Sequence, residues 1–412
     1  MSGATRILAA LVFGLILGLT STAIDASWTK RAIPVAELVG GIWLDALKMT
    51  IIPLVVALLV TSISASTEVA RTSRLAGISL ISFVALLGMS ALLSAFLTPA
   101  LLQAWPLSAE FAAGLSSGLP GIEKRPEVVG FADFLRAIVP SNPIAAAAND
   151  AILPVIVFTI VFAFALTRLP DEPRQQLSSF FKALSALMLI MIGWILWLAP
   201  IGVLALAYTL GARAGLSAFG ALLHYIVLVS SVGLVIWLLA YLLAVFGAKL
   251  SFTKFASAVA PAQAVAISTQ SSLASLPAML RGAETLGVSP NTSGTVLPLA
   301  VAVFRVTGPA MNLAVVLYIA HWLGVAVGPA QLAAAIVTAA ITSMGSPSLP
   351  GQIGFITATA PIAIAAGVPI EPLLLLVAVE NIPDVVRTFG NVTMNVAATA
   401  TFARRVKSSL PA

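Results

Sequence analysis

Long apolar runs separated by short polar stretches set the pattern of this chain. A bilayer core needs about 20 apolar residues per spanning helix. Eight runs reach or approach that length, at 7–24, 39–63, 75–102, 151–166, 180–210, 216–246, 296–327 and 372–402. Two further runs, 252–280 and 330–366, are apolar but interrupted. The pattern predicts an all-α polytopic membrane protein of eight transmembrane helices plus two re-entrant helical hairpins, each entering and leaving on one side. The first run follows Arg6 and is short enough for a signal peptide, but with seven spans behind it, it reads as a retained helix.

The interruptions carry the chemistry. One run contains Ser271-Ser272-Leu273-Ala274-Ser275-Leu276-Pro277, the other Ser343-Met344-Gly345-Ser346-Pro347-Ser348-Leu349-Pro350-Gly351. Broken backbone at membrane depth is tolerated only inside protein or beside a cavity. A matched pair of such segments points to a transporter binding site built from inverted repeats.

The last run carries a polar stripe. Glu380, Asp384, Arg387, Asn391 and Asn395 are spaced by four, three, four and four residues. At about 100° per residue they share an arc of roughly 80°, with Thr388 at its edge. Charges facing lipid are costly, so these groups are expected to face a cavity or one another. Arg387 can grip a carboxylate in a fork. Asp384, one turn earlier, can accept from an ammonium, and Asn391 can hold either end. The hairpins' half-helix ends would add free N–H groups for a second carboxylate. Pairing of Asp384 with Arg387 at i,i+3 is the purely structural alternative.

Composition narrows the class. Of 412 residues, 60% are apolar and 9% charged, against roughly 25% charged in a soluble domain. A soluble protein of this length could not hide so much apolar surface. That excludes a soluble enzyme, a nucleic-acid-binding protein, a disordered chain and a secreted disulfide scaffold. There is no cysteine, and the two histidines, His224 and His321, are too few and too far apart in sequence for a metal site. The net charge of +6 reflects loop bias. With both termini cytoplasmic, twelve basic loop residues fall inside and six, including Lys30, Arg31 and Arg213, fall outside. Lys48, Arg305 and Arg387 lie within apolar runs. The polar stretch 106–143 reads as an external surface loop, and His224 as an interfacial residue.

In its motifs the chain resembles the dicarboxylate/amino acid:cation symporter family, the glutamate transporter homologues. The match includes Leu47-Lys48-Met49-Thr50-Ile51-Ile52-Pro53, Asn142-Pro143-Ile144, Ala199-Pro200-Ile201-Gly202, the Ser-rich first hairpin, Pro350-Gly351, and Asp384-Val385-Val386-Arg387-Thr388 with Asn391. The resemblance implies a homotrimer in the bacterial cytoplasmic (inner) membrane, working by an elevator mechanism. Scaffold helices would occupy 1–74 and, with an external loop, 105–213. The moving block would comprise helix three (75–104), helix six (214–250), the first hairpin (251–284), helix seven (290–328), the second hairpin (329–366) and helix eight (370–404). It further implies substrate contacts at Ser271, Ser272, Gly308, Pro350, Gly351, Asp384, Arg387, Thr388 and Asn391. Relatives that carry dicarboxylates lack the acid at the Asp384 position, so its presence favours an amino acid, aspartate-like or glutamate-like.

The chain departs from the family where sodium would bind. The family's Asn-Met-Asp-Gly-Thr is Phe304-Arg305-Val306-Thr307-Gly308 here. A helix-eight aspartate is Asn395, and the helix-three ligands give way to Phe83-Val84 through Leu87-Gly88. Arg305 carries a permanent charge and is expected to act as a tethered cation in place of sodium, with Arg305, Glu380 and Asn395 as the coupling residues and no metal or other cofactor. It could instead simply neutralise Glu380. The driving ion could be a proton on Glu380 or Asp384, since burial disfavours a carboxylate's charged form. The alternatives are a dicarboxylate:cation symporter and an uncoupled exchanger of neutral amino acids. A channel would need polar lining on several helices, and a hydrolase would need a base beside Ser271 or Ser272. The expected partners are the substrate, the lipid bilayer and two further copies of the chain, with no nucleic acid.

Overall fold

The structure, a computed structural model, describes residues 3–24, 28–72, 74–117, 139–149, 152–214, 217–345 and 352–408. Among the described residues every regular element is a helix: α1 (Gly3–Ala23), α2 (Thr29–Thr72), α3 (Arg74–Ala104), α4 (Ala109–Ser117), α5 (Pro143–Ala148), α6 (Ile152–Leu166), α7 (Asp171–Trp197), α8 (Ala199–Ala214), α9 (Ser217–Leu242), α10 (Phe252–Thr269), α11 (Leu276–Thr285), α12 (Pro290–Val303), α13 (Thr307–Leu323), α14 (Pro329–Gly345), α15 (Gln352–Ala365), α16 (Glu371–Leu376) and α17 (Asn381–Ser408). Four described segments are long and apolar enough to cross a bilayer: Gly77–Ala104, Asp171–Ile195, Phe219–Gly247 and Pro290–Leu323.

Prolines divide three of the expected single spans. Proline lacks an N–H and its ring clashes with the carbonyl four residues back. Pro200 therefore ends the run 180–210 as one helix, and α7 stops at Trp197 before α8 begins at Ala199. Pro309 bars the Arg305 carbonyl from a helical bond, so the seventh run splits into α12 and α13 with Phe304–Val306 between them. Pro383 does the same to Val379, and the eighth run turns at 377–380 before α17 starts.

Each interrupted run forms two helices that pack against each other. In the first, α10 ends on Gln270, whose left-handed φ of 52° reverses the chain. The arms then touch at Gly282, where an added Cβ would lie 2.6 Å from the Ala258 carbonyl oxygen. In the second, α14 packs against α15, and their junction, including Pro350 and Gly351, lies outside the described residues.

Two packing regions position the site. α1 runs against α8 with backbones nearly touching, as small residues permit within membranes. A Cβ on Gly18 would sit 2.2 Å from the Tyr208 carbonyl oxygen, and one on Gly211 2.3 Å from that of Leu15. A separate core gathers Phe83 and Leu87 of α3, Val232 and Ile236 of α9, Phe255 and Val259 of α10, Leu297 of α12, Phe304, and Val392 and Val396 of α17.

Two expectations change. The stretch 106–143 is not all surface loop: α4 packs inward, with Leu115 fully buried and Ala112 accepting a 2.9 Å hydrogen bond from the Trp322 indole. Its residues 118–138 lie outside the described set. His224 is not interfacial but buried, between the Tyr318 hydroxyl (3.2 Å) and the Trp105 carbonyl oxygen (3.0 Å).

Candidate functional site

The polar stripe of α17 folds into one buried ion cluster. Glu380 sits in the turn just before the helix and is wholly buried. Its Oε1 lies 2.5 Å from Arg387 Nη2, and its Oε2 accepts a 2.8 Å hydrogen bond from the Tyr225 hydroxyl of α9. Arg387 Nη1 donates to Asp384 Oδ1 at 2.9 Å. The guanidinium is therefore shared by two carboxylates. Its Nε is buried with no hydrogen-bond partner. That leaves one unpartnered donor on the guanidinium. Half-buried Arg305 lies within electrostatic reach of Asp384 and Arg387. Two guanidiniums and two carboxylates thus occupy one region where, away from water, charges must be paired to be tolerated.

The break in the seventh run faces this cluster and is closed by side chains of α17. The broken ends expose backbone groups that no helix satisfies. Asn391 Oδ1 accepts from the Thr307 N–H at 2.9 Å. The Thr307 hydroxyl lies 2.7 Å from both that oxygen and the Arg387 carbonyl oxygen. Asn395, one turn on, is turned so that its Nδ2 donates to the carbonyl oxygens of Phe304 (3.1 Å) and Asn391 (3.2 Å). Ser90 of α3 donates to the Val306 carbonyl, and the Arg305 carbonyl accepts from Gly308 N–H at 2.9 Å. Each of the three carbonyls in the break therefore has a protein donor.

Aromatic packing fills the space beside it. Phe83 of α3 stacks on Phe304, with ring centroids 4.3 Å apart and planes 11° apart, and both rings are fully buried. Phe402 of α17 closes the other side of Phe83 at 5.7 Å.

The remaining expected residues fall around the cluster. Gly308 faces the second hairpin: an added Cβ would lie 3.0 Å from Ser343 Oγ of α14. Thr388 is buried and donates back to the Asp384 carbonyl at 2.9 Å. Ser271 and Ser272 form the first hairpin's turn, where Ser271 Oγ accepts from Ala274 N–H at 3.2 Å. That turn reaches the start of α17 through Gln270, whose amide lies 3.5 Å from the Asn381 carbonyl oxygen. Pro350 and Gly351 lie outside the described residues.

The sequence reading missed Tyr225 and Ser90. Tyr225 stands beside His224 on an otherwise apolar stretch of α9, a polar pair that was the available signal. Thr307 was read only as part of the altered motif, and Pro309 two residues on was the available sign of a break.

Comparison with known proteins assigns the chain's relatives. The profile of the sodium:dicarboxylate symporter family matches residues 4–405. The proton/glutamate-aspartate symporter of Escherichia coli (strain K12) is 25% identical over 412 aligned residues, spanning 97% of this chain and 92% of that protein. A C4-dicarboxylate transport protein of Anaeromyxobacter sp. (strain K) is 27% identical, spanning 97% of this chain and 88% of its own length. One from Deinococcus radiodurans is 24% identical, spanning 96% and 88%.

Proposed function

The chain belongs to the sodium:dicarboxylate symporter family, a multi-pass membrane transporter rather than an enzyme, and from that premise we propose that it carries a small acidic amino acid without sodium. The observation that carries the substrate reading is the ion pair of buried Asp384 with partly buried Arg387, one turn apart on α17. A carboxylate that accepts from an ammonium, beside a guanidinium with a free Nε, matches a ligand bearing both charges. The relative named as a glutamate-aspartate symporter is in keeping with this.

The sodium reading rests on the break between α12 and α13. A cation there would need converging oxygens. Asn391 and Asn395 instead satisfy backbone groups, Ser90 donates to the Val306 carbonyl, and the Phe83–Phe304 stack fills the adjoining volume. We read these residues as unfit for a sodium ion. Arg305, beside Asp384, supplies a fixed positive charge in the same region.

Working as a homotrimer, with the block containing α3 and α9 to α17 moving across a bacterial inner membrane and both termini cytoplasmic, completes the proposal. The relatives named as C4-dicarboxylate carriers favour a second reading, a C4-dicarboxylate substrate, in which Asp384 would only neutralise Arg387.

A thermal-shift screen of purified protein in sodium-free detergent separates the two. L-Aspartate or L-glutamate should raise the melting temperature while succinate and malate do not. Protection by succinate alone would overturn the amino-acid reading.

A further inference from the structure

The ion cluster sets a charge balance that the substrate must disturb. Resting on the reading that the cargo is an acidic amino acid, we propose that Glu380 is the proton-binding group of this transporter and takes up one proton when the substrate's carboxylate docks at Arg387.

In the structure Arg305 and Arg387 offset Glu380 and Asp384, so the cluster is formally neutral with no bound ion. Both oxygens of Glu380 are engaged, Oε1 in the ion pair with Arg387 and Oε2 by the hydrogen bond from Tyr225. Arg387 is then the resource in demand. An acidic amino acid brings two carboxylates and one ammonium, a net charge of minus one. Its side-chain carboxylate arriving at Arg387 makes a third anion on one guanidinium. In a region shielded from water, like charges this close repel strongly. One proton from bulk water, bonding to Glu380 Oε1, removes that excess. Oε2 still accepts from Tyr225, and the new O–H finds an acceptor in the substrate carboxylate or in Asp384. Arg387 Nη2 is released to pair with the incoming carboxylate alongside the unpartnered Nε.

Asp384 is not the proton carrier, because its negative charge is what holds the ammonium. The groups facing Glu380 are Tyr225 from α9, Asp384 and Arg387 from α17 and, beyond Asp384, Arg305 from the break between α12 and α13. From the first hairpin comes the neutral amide of Gln270, near Asn381. Loaded and empty blocks would both cross the lipid with a neutral cluster, so transport moves no net charge. Substrate and proton must also favour each other's binding, since coupling between two ligands is reciprocal.

The test uses the full chain in sodium-free detergent. Calorimetric titration with L-aspartate, repeated at one pH in buffers of different ionisation enthalpy, counts the protons taken up per substrate bound. One proton is expected per aspartate bound for the wild type and none for Glu380→Gln, which keeps the side-chain shape and an acceptor for Tyr225. No uptake in the wild type, or one proton in both proteins, overturns the assignment while leaving the substrate reading intact. Failure of any acidic amino acid to bind the wild type overturns the substrate reading and this assignment with it. If Glu380→Gln does not fold, wild-type liposomes decide. Aspartate uptake should follow an imposed pH gradient and stay unchanged when a potassium–valinomycin voltage is imposed. Acceleration by voltage of either sign would refute an electroneutral cycle.

Discussion

Phe83 lies flat on Phe304, 4.3 Å between ring centroids, where the family resemblance leads one to expect oxygen ligands. The contact joins α3 to the break between α12 and α13, two segments that must stay in register for the break to keep its shape. Removing either ring from a fully buried core costs about 3–5 kcal/mol through lost burial and the cavity left behind. Phe304→Ala should therefore lower the unfolding temperature in detergent markedly. Sodium chloride should restore no more of it than choline chloride does. Sodium-specific recovery would mean that the vacated space retains a cation site.

Asn395 works as a donor, with its amide bridging the carbonyls of Phe304 and Asn391. Asn395→Asp replaces that donor with an anion facing two carbonyl oxygens. Leaving buried groups unsatisfied costs about 1–3 kcal/mol each, more where a charge is involved. The variant should melt well below wild type, and further below it than Asn395→Ala, with calorimetry or nano-scale fluorimetry as the readout.

Arg387 is the hub of the ion cluster, so its loss strands two carboxylates. Removing one partner of a buried pair costs about 3–5 kcal/mol. Arg387→Ala should be strongly destabilised and fail to bind aspartate. The double variant Arg387→Ala with Glu380→Gln should recover part of the stability and none of the binding. A double variant no more stable than the single would show that the two side chains are not energetically coupled.

In the proposed reading Asp384 sets the choice of ligand. A hydrogen bond to a charged group is worth about 1.5–3 kcal/mol, a factor on the order of 10–100 in affinity. Asp384→Asn should lose roughly that much affinity for aspartate while its affinity for succinate holds or rises, as measured by competition binding. Equal losses for both ligands would make Asp384 a structural partner of Arg387 and nothing more.

Some of this was legible in the sequence because it depends on local periodicity. The spacing of Asp384, Arg387, Asn391 and Asn395 places them on one face of α17, and they lie on that face. Glu380 joined the same arithmetic, although it occupies the turn before the helix; the hydrogen bond from Asp384 N–H to the Glu380 carbonyl keeps it in register. The family motif told that residues 304–308 were altered. What the sequence could not supply was through-space pairing. Tyr225 stands 155 positions from Glu380, and Ser90 stands 216 from Val306. No spacing rule connects such residues. Proline chemistry alone did not mark the breaks at Pro200, Pro309 and Pro383, because Pro53, Pro99, Pro261 and Pro361 lie inside continuous helices. The burial of His224 depends on Trp105 and Tyr318, 119 and 94 positions away, which no local pattern announces.

The central claim is that an acidic amino acid crosses without sodium because the chain carries its own positive charge and has closed the cation's place. Uptake of radiolabelled L-aspartate into liposomes holding the purified protein, with choline replacing sodium throughout, tests this most directly. Transport at an unchanged rate is the predicted result. Uptake that vanishes in choline and returns with sodium would contradict it.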